Sequence, residues 1–405
     1  MPWPWWRHRR LLIGVGYLLA FLTARPACAD RQIIPVPEII VDPNEGNTVG
    51  VLPVILMSTE AKSVGSILAP DVRYNDVLGV FPTFRYFGYP DPDTRFFIVA
   101  GKGTRRGEDV EAEFSGLDLL DGWLDLVANG QHEQDPFERF FGFGNKTSGS
   151  NETNFTSTTN AASVFAGLNF YGPWQVSLRA RLRELRTGRG GVSTLPQLRD
   201  PASGFSNLKG VDGATIVGTR VGLAYDTRDR HDVPTEGIFA TAGVEPVDEA
   251  LGSSSSFVKY ELEGKAYLPL RSDKRLILAL HSALNYLQNA DQAPFYERSS
   301  IGGIHSLRGF GSNRFTDTNR FVFQVELRSN VYEREIFGVR AHLEVAPFLD
   351  VGQVFRSSRE FPLEDLHVVG GCGFRAVVIP QVVAYVDIGT AGGAPAAFTG
   401  IDYPF

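Results

Sequence analysis

The sequence predicts an all-β protein, a transmembrane antiparallel β-barrel of about sixteen strands with one external loop folded inward. Three observations support this class. The N-terminus has the pattern of a secretory signal, and no later apolar run is long enough for a membrane helix. Several later segments alternate apolar and polar side chains, and the chain ends on an apolar pattern that finishes with Phe405. An exported chain of this kind crosses a membrane with strands.

Residues 1–29 have the three parts of a secretory signal peptide. A basic region at 7–10 precedes an apolar run at 11–23, which is too short to span a bilayer as a helix. Ala-Cys-Ala at 27–29 is a small-residue cleavage pattern, so we expect the mature chain to begin at residue 30. Its cysteine would also suit a lipoprotein, but Arg25 stands where that site needs an apolar side chain.

Composition narrows the class further. The net charge is −7, and removal of a signal that carries only basic charges makes the chain more acidic, which disfavours nucleic acid as a partner. Of the two cysteines, only Cys372 remains after cleavage, so no disulfide can form within the chain. Glycine and aromatic residues are abundant, as in outer-membrane barrels. We therefore expect the bacterial outer membrane as the location and its lipids as partners.

The period-two alternation is the main evidence for membrane strands. It is clearest in residues 174–183, 276–285, 321–328 and 339–352. A soluble β-sandwich also alternates, but its strands are usually shorter than these segments. The polar face of the first segment carries Arg179, Arg181 and Arg183, and stacked charge of this kind suits a wet lumen. These arginines either select anions or line the wall structurally.

Short periplasmic turns and long external connections alternate along the chain, as a barrel requires. Counting them back from the end gives about sixteen strands, the first near residues 65–75. Val49–Ser58 is then one strand too many, so it is either a rim or plug segment or evidence that two early strands are one. The longest predicted external connections are 188–212 and 289–317. The residues that form the apolar ending favoured by the barrel-assembly machinery are Ile401, Tyr403 and Phe405.

The chain therefore divides into a signal peptide, a short segment at 30–46 and a barrel at 47–405. Pro35, Pro37 and Pro43 predict that the short segment is extended and lies in the periplasm. It is shorter than the roughly 40 residues that a compact domain needs.

The predicted loop at 289–317 contains a motif at 302–310 that reads Gly-Gly-Ile-His-Ser-Leu-Arg-Gly-Phe. It resembles the loop motif of the BamA/TamA outer-membrane assembly superfamily, also called bacterial surface antigens. The resemblance implies that the loop folds back into the barrel and that its arginine, Arg308, reaches an acidic residue in a Phe-x-Asp-x-Gly strand. Residues 348–352 supply that strand motif.

The chemistry of this loop lock is reasonable on its own. A guanidinium inside a narrow lumen loses water and needs a carboxylate, which Asp350 offers to Arg308. Gly309 lets the backbone approach the wall, Phe310 packs as an anchor, and Gly352 leaves space beside the carboxylate. The alternative is that this arginine is a solvated loop residue.

Two further segments resemble the same superfamily. Gln-Val-Glu-Leu-Arg at 324–328 is similar to its next strand, and its Glu326 is expected to share the charge of the lock. Asp-Thr-Arg-Asp at 226–229, with Pro234 and Gly237, is similar to its hairpin. The resemblance covers roughly residues 215–405.

The resemblance implies a protein that assists the insertion or passage of polypeptides across the outer membrane. It would act through a weak seam between the first and last strands, with a periplasmic or outer-membrane partner protein or a polypeptide client. Members of the superfamily carry POTRA modules ahead of the barrel, and we expect a short member without them. The alternative is a passive porin-like or lipid-handling channel, plugged by the 289–317 loop.

A third possibility, an outer-membrane enzyme, finds little support. The sequence has no G-x-S-x-G and no H-E-x-x-H motif. His305 stands beside Ser306, but adjacent residues do not by themselves form a nucleophile and its base. We expect no catalytic residues, no cofactor and no metal site.

Overall fold

The computed structural model describes one large antiparallel sheet. The described residues are 31–58, 64–91, 93–231, 233–336, 339–357, 365–378, 382–401 and 403–405. The predicted signal peptide lies outside them. The strands are β1 (Arg31–Asp42), β2 (Gly46–Ser58), β3 (Val64–Leu68), β4 (Asp71–Asn75), β5 (Gly79–Asp91), β6 (Thr94–Lys102), β7 (Glu108–Asp118), β8 (Leu124–Phe140), β9 (Thr153–Tyr171), β10 (Trp174–Arg189), β11 (Ala214–Asp226), β12 (Gly237–Val247), β13 (Phe257–Pro269), β14 (Leu276–Gln288), β15 (Ser299–Ile301), β16 (Phe315–Asp317), β17 (Asn319–Ile336), β18 (Val339–Phe355), β19 (His367–Val378), β20 (Val382–Thr390) and β21 (Ala396–Ile401).

Helical structure among these residues is confined to short turns, at Leu119–Gly122, Gly149–Asn151, Pro201–Ser203, Glu249–Leu251 and Phe295–Glu297. No helix in the described part of the chain is long and apolar enough to cross a bilayer.

Consecutive strands of the large sheet are neighbours, and their pairing is antiparallel throughout. β3 and β4 both pair with β2 and β5, so they are two parts of one strand, interrupted at Pro70 because proline has no N–H to donate. The 19 strands of the sheet therefore fill eighteen positions around a barrel. β15 and β16 pair with each other inside the connection between β14 and β17. β1 packs beside β21 and completes the ring.

Side chains sort by face as the alternation predicts. On β17, Gln324 and Glu326 are buried in the lumen while Phe323 is exposed on the outer surface. On β10, Arg179 is buried while Leu178 is exposed. This pattern confirms a closed sheet with an apolar outer surface and a polar, charged interior.

The sheet begins earlier than the sequence predicts. The expected count of about sixteen placed the first strand near residues 65–75, but β1 and β2 precede it in the sheet. Residues 31–42 are therefore a strand paired with β2, not an unpaired segment ahead of the barrel. The prolines do not prevent this, because Pro35 lies directly opposite Pro53. Two opposed prolines form a non-hydrogen-bonded pair, in which neither nitrogen would donate to the partner strand.

The end of the barrel also differs from its prediction. The apolar pattern that finishes with Phe405 predicts a last strand over residues 396–405, but β21 ends at Ile401. Tyr403 makes lumen contacts described below, and Phe405 is buried there. Pro404 lacks the N–H that would continue the ladder, and the lumen offers these residues both charged and apolar partners. The side chain of Ile401 lies outside the described set.

Candidate functional site: the inner loop and its two anchors

The connection between β14 and β17, residues 289–318, enters the barrel and is called the inner loop below. Its tip is fully buried, with both Leu307 and Arg308 inaccessible to solvent. Gly302 and Gly303 begin the tip with positive φ angles of 115° and 86°, which side-chain-bearing residues rarely adopt. A Cβ on Gly309 would lie 2.9 Å from the side chain of Val369 on β19. Glycine there lets the tip press against the wall.

The inner loop contacts one wall through Arg308. Its Nη2 and Nε donate to the two oxygens of Asp350 at 2.6 and 2.8 Å, a bidentate pair, and its backbone N–H donates to the same carboxylate at 3.1 Å. Its Nη1 donates to Glu326 and, at 2.7 Å, to Asp387. The guanidinium lies 3.5 Å from the ring centre of Phe348. Arg308 with Asp350, Glu326 and Asp387 is called the first anchor.

Two more arginines share the carboxylates of the first anchor. Arg375 donates to Glu326 at 2.7 Å, to Glu344 at 3.1 Å and to Asp387 at 3.3 Å. Arg328 donates to Glu326 at 3.0 Å. Three guanidiniums therefore face four carboxylates in a region shielded from solvent, where each charge needs an opposite partner.

The last residues of the chain pack under this network. The hydroxyl of Tyr403 donates to Glu344 at 3.1 Å, and its ring centre lies 3.8 Å from the guanidinium of Arg328. Phe405 is buried, and its backbone oxygen accepts a hydrogen bond from Arg328 at 3.2 Å. Its ring stacks on His281, with ring centres 5.3 Å apart. The predicted role of these residues as an assembly signal stays a prediction.

A second set of ion pairs, to β10 and β13, involves Glu297 of the inner loop. This carboxylate accepts from Arg181 and Arg183 at 3.0 Å each, and from Lys259. Arg181 also pairs with Glu245 at 2.5 Å. Glu297 with Arg181, Arg183 and Lys259 is called the second anchor.

The charge state of Glu297 follows from these contacts. Its burial raises the pKa, but the cations of Arg181, Lys259 and Arg183 outweigh that effect and hold the pKa well below the ordinary value of 4.5. Glu297 is therefore ionised at neutral pH.

The adjoining ends of β8 and β9, and the loop between them, cover the inner loop. Phe295 meets Phe140 and Phe155 edge to face, at centroid distances of 5.3 and 5.5 Å. Arg314 donates to the carbonyl oxygen of Thr147 at 2.7 Å. The inner loop is thus held by apolar contacts at its entrance and by ion pairs at depth.

The geometry brings together Arg308, Asp350 and Glu326, which the sequence motifs singled out. Phe310 packs against the apolar cluster that contains Leu307 and Phe315. Sequence reasoning missed the other members of both anchors. Asp387 and Arg375 lie at inward positions of strands that alternate apolar and polar residues. This alternation predicts that both side chains point into the lumen, but it does not predict which residues they contact. Glu297 has no motif, although the three inward arginines of β10 indicate that a carboxylate must lie near.

The adjacent residues His305 and Ser306 have separate partners. His305 Nδ1 lies 3.0 Å from the carbonyl oxygen of Pro404. Ser306 Oγ accepts from the N–H of Gly302 at 2.8 Å and donates to its carbonyl at 3.0 Å. In the described residues, no group of three or more His, Cys, Asp or Glu side chains has the arrangement of a metal site.

An apolar outer surface around a charged, plugged lumen defines a class: the chain is a β-barrel of a bacterial outer membrane. Residues 103–375 match the Omp85 superfamily domain. The chain belongs to the Omp85 superfamily.

Solved structures of similar architecture include BamA from Haemophilus ducreyi lacking POTRA domains 1–3. It is 14% identical, with 91% of this chain and 75% of that chain covered and a TM-score of 0.52. CdiB from Escherichia coli is 13% identical, with 94% of this chain and 64% of that chain covered and a TM-score of 0.49. At this identity the BamA likeness shows the fold alone, and this chain spans less than two thirds of that CdiB.

Proposed function

We propose that this barrel assists the insertion or passage of polypeptides across the outer membrane, through the seam between β1 and β21. One observation carries the proposal. Neighbouring strands elsewhere in the sheet form backbone ladders, but among the described residues β1 and β21 are adjacent without a ladder between them. A junction held without ladder hydrogen bonds opens at lower cost than any other in the ring.

The sequence of β1 supports a weak seam. Because Pro35 and Pro53 are opposed, they form a non-hydrogen-bonded pair, and the pair two residues on, Pro37 with Val51, is of the same type. The nitrogens of Pro35 and Pro37 therefore point away from β2 and toward the seam. Neither carries an N–H, so this edge of β1 lacks two donors.

The inner loop reaches the seam as well. Ile304 packs against the apolar cluster of Tyr385, Ala396 and Phe398, two of which belong to β21. A Cβ on Gly309 would lie 3.1 Å from the backbone between β20 and β21. We infer that the loop and the seam move together. Lipids at the seam and a polypeptide client or partner protein would be the partners of such a device.

The decisive experiment closes the seam covalently. In a Cys372→Ala background, Val41→Cys would be combined in turn with Ala396→Cys, Ala397→Cys and Phe398→Cys. The matched control is Leu280→Cys with Val325→Cys, which are opposed across the complete ladder of β14 and β17. Insertion of an unfolded barrel client into proteoliposomes that contain each variant is measured with and without reductant.

We expect oxidation to abolish insertion in the seam variant that cross-links, and reductant to restore it, while the control pair changes nothing. Full insertion activity with a quantitatively cross-linked seam would contradict the proposal.

Deletion of the gene should lower the amounts of other outer-membrane barrels, measured by proteomics of the membrane fraction.

A second candidate function is a passive channel, favoured by a lumen cavity of about 450 Å³ bordered by charged side chains. A plugged channel would pass small solutes once the loop is released, whether or not the seam is locked. Liposome swelling with an Arg308→Gln variant, seam open or cross-linked, separates the two functions.

A further inference from the structure

One arginine of the lumen is buried without a protein acceptor. Arg179 on β10 is 8% exposed, and its Nε and Nη2 make no hydrogen bond. The next two inward arginines on the same strand, Arg181 and Arg183, both pair with Glu297. Burying an unpaired guanidinium is costly, so its position needs an explanation.

The charges on the wall next to Arg179 increase the cost of burying its guanidinium. Arg220 lies directly opposite Arg179 in the ladder of β10 and β11, and like charges in that position repel. Arg220 has its own carboxylate, Glu261, at 2.8 Å. Glu245 pairs with Arg181. Both carboxylates attract Arg179 electrostatically, but each is hydrogen-bonded to another cation and neither to Arg179, and Glu245 Oε2 is itself buried without a hydrogen bond.

Arg179 borders the lumen cavity, which has a volume of about 450 Å³, the size range of small-molecule sites. Eight arginine or lysine side chains and six carboxylates line this cavity, so positive charge is in excess. Ser177, two residues along the same face of β10, adds a hydroxyl donor to the lining.

We propose that this cavity is a binding site for a small solute with an oxyanion, a carboxylate or a phosphate, held by Arg179. A planar guanidinium donates two parallel hydrogen bonds to either group, and Ser177 supplies a third donor. Such a ligand would supply the negative charge that the wall of β10 and β11 lacks. The proposal does not rest on the seam function: Arg179 lies on β10, across the ring from β1 and β21, although Ile304 of the inner loop borders the same cavity.

The test uses the full mature chain in detergent micelles and inorganic phosphate as the first probe. Binding is followed by broadening of the phosphate resonance and by the temperature of heat-modifiable unfolding, with sodium chloride at equal ionic strength as reference. Acetate in a second arm separates a carboxylate site from a phosphate site. The variants are Arg179→Gln and Arg179→Lys. The matched control is Arg186→Gln, since Arg186 lies on the same strand, is exposed and pairs with Glu184 at 2.6 Å.

We expect at least one probe to bind saturably to the wild type and to Arg186→Gln and to raise their unfolding temperature. Arg179→Gln should weaken binding about ten- to a hundredfold, the value of charge-assisted hydrogen bonds, and Arg179→Lys should lie between. Without anion, Arg179→Gln should be at least as stable as the wild type, because a buried guanidinium with two unsatisfied N–H donors is gone. Equal binding by Arg179→Gln, or no response of the wild type to either anion beyond that to chloride, would overturn the proposal.

Discussion

The two anchors hold the same loop with opposite charges. At the first anchor the loop supplies the cation and the wall supplies three carboxylates; at the second the loop supplies the anion and the wall supplies three cations. Their surroundings differ. The side chains of Arg308, Asp350 and Asp387 are all 0% exposed. Arg181 and Arg183 are 10% and 13% exposed, and Arg183 borders the cavity. The ion pairs of the two anchors should therefore differ in energy, because water screens the second anchor and not the first.

The largest effect is expected at the first anchor. Arg308→Gln leaves Asp350 without its bidentate partner in a dry site, so we expect a loss of about 3–5 kcal/mol in the free energy of unfolding. Urea titration of the barrel in lipid vesicles measures it. Arg314→Gln is the matched control, because that arginine belongs to the same loop and donates to Thr147 instead of a carboxylate.

The same variant should loosen the loop and raise leak conductance in planar bilayers. Asp350→Asn should do much the same, and the double variant should be little worse than either single change, as for coupled sites. Fully additive effects in this cycle would contradict the idea that the two residues act as one lock.

A smaller loss is expected at the second anchor. Glu297→Gln removes the charge that three wall cations share, but Arg181 keeps Glu245 and the cavity admits water. We expect a loss of about 1.5–3 kcal/mol, measured by the same titration. A loss equal to or larger than that of Arg308→Gln would show that the exposure of the two sites does not control their strength.

Acid should erase the contribution of the second anchor. The pKa of Glu297 in the folded state is held well below its ordinary value of 4.5, so ionised Glu297 stabilises the fold fully above that value. The contribution falls as the pH drops below about 4.5 and through the lower folded-state pKa. The difference in unfolding free energy between the wild type and Glu297→Gln should thus shrink in acid. A difference that stays constant down to about pH 3 would refute this.

The smallest effect concerns the aromatic packing beneath the first anchor. Tyr403→Phe removes the hydrogen bond to Glu344 but leaves the ring against Arg328 and leaves Arg375 on Glu344. We expect a loss of about 1 kcal/mol in the free energy of unfolding. Tyr403→Ala, which also removes the ring, should cost more, and equal losses would mean that the ring contributes nothing.

Sequence reasoning reached the first anchor and not the second for a physical reason. Arg308 and Asp350 each lie in a segment whose glycines and aromatic residue form a sequence motif that can be recognised. Glu297 pairs across the lumen with residues more than a hundred positions away, except Lys259, and period-two alternation carries no information about distance across a barrel. The inward positions of Arg181 and Arg183 were predictable; the loop residue that meets them was not.

The start of the sheet was missed for a related reason. Pro35 and Pro37 indicate a segment that cannot join a ladder. They prevent hydrogen bonding at one edge of the strand only. Because both lie at positions of the same parity, they remove donors from the outer edge of β1 and leave the inner edge free to pair. A sequence shows that a proline is present, but the register decides which edge it blocks.

The first anchor also links three strands of the barrel through one residue of the loop. Arg308 holds carboxylates on β17, β18 and β20 at once, and β20 is separated from the seam only by β21. The arginine therefore connects β17, β18 and β20, which lie on the part of the ring that ends at the seam. If the circumference grows there and β20 swings outward, the contact to Asp387 must stretch before the bidentate pair with Asp350 is disturbed. Opening of the wall would then lengthen one hydrogen bond of the loop. The strength of that contact would therefore depend on the width of the barrel.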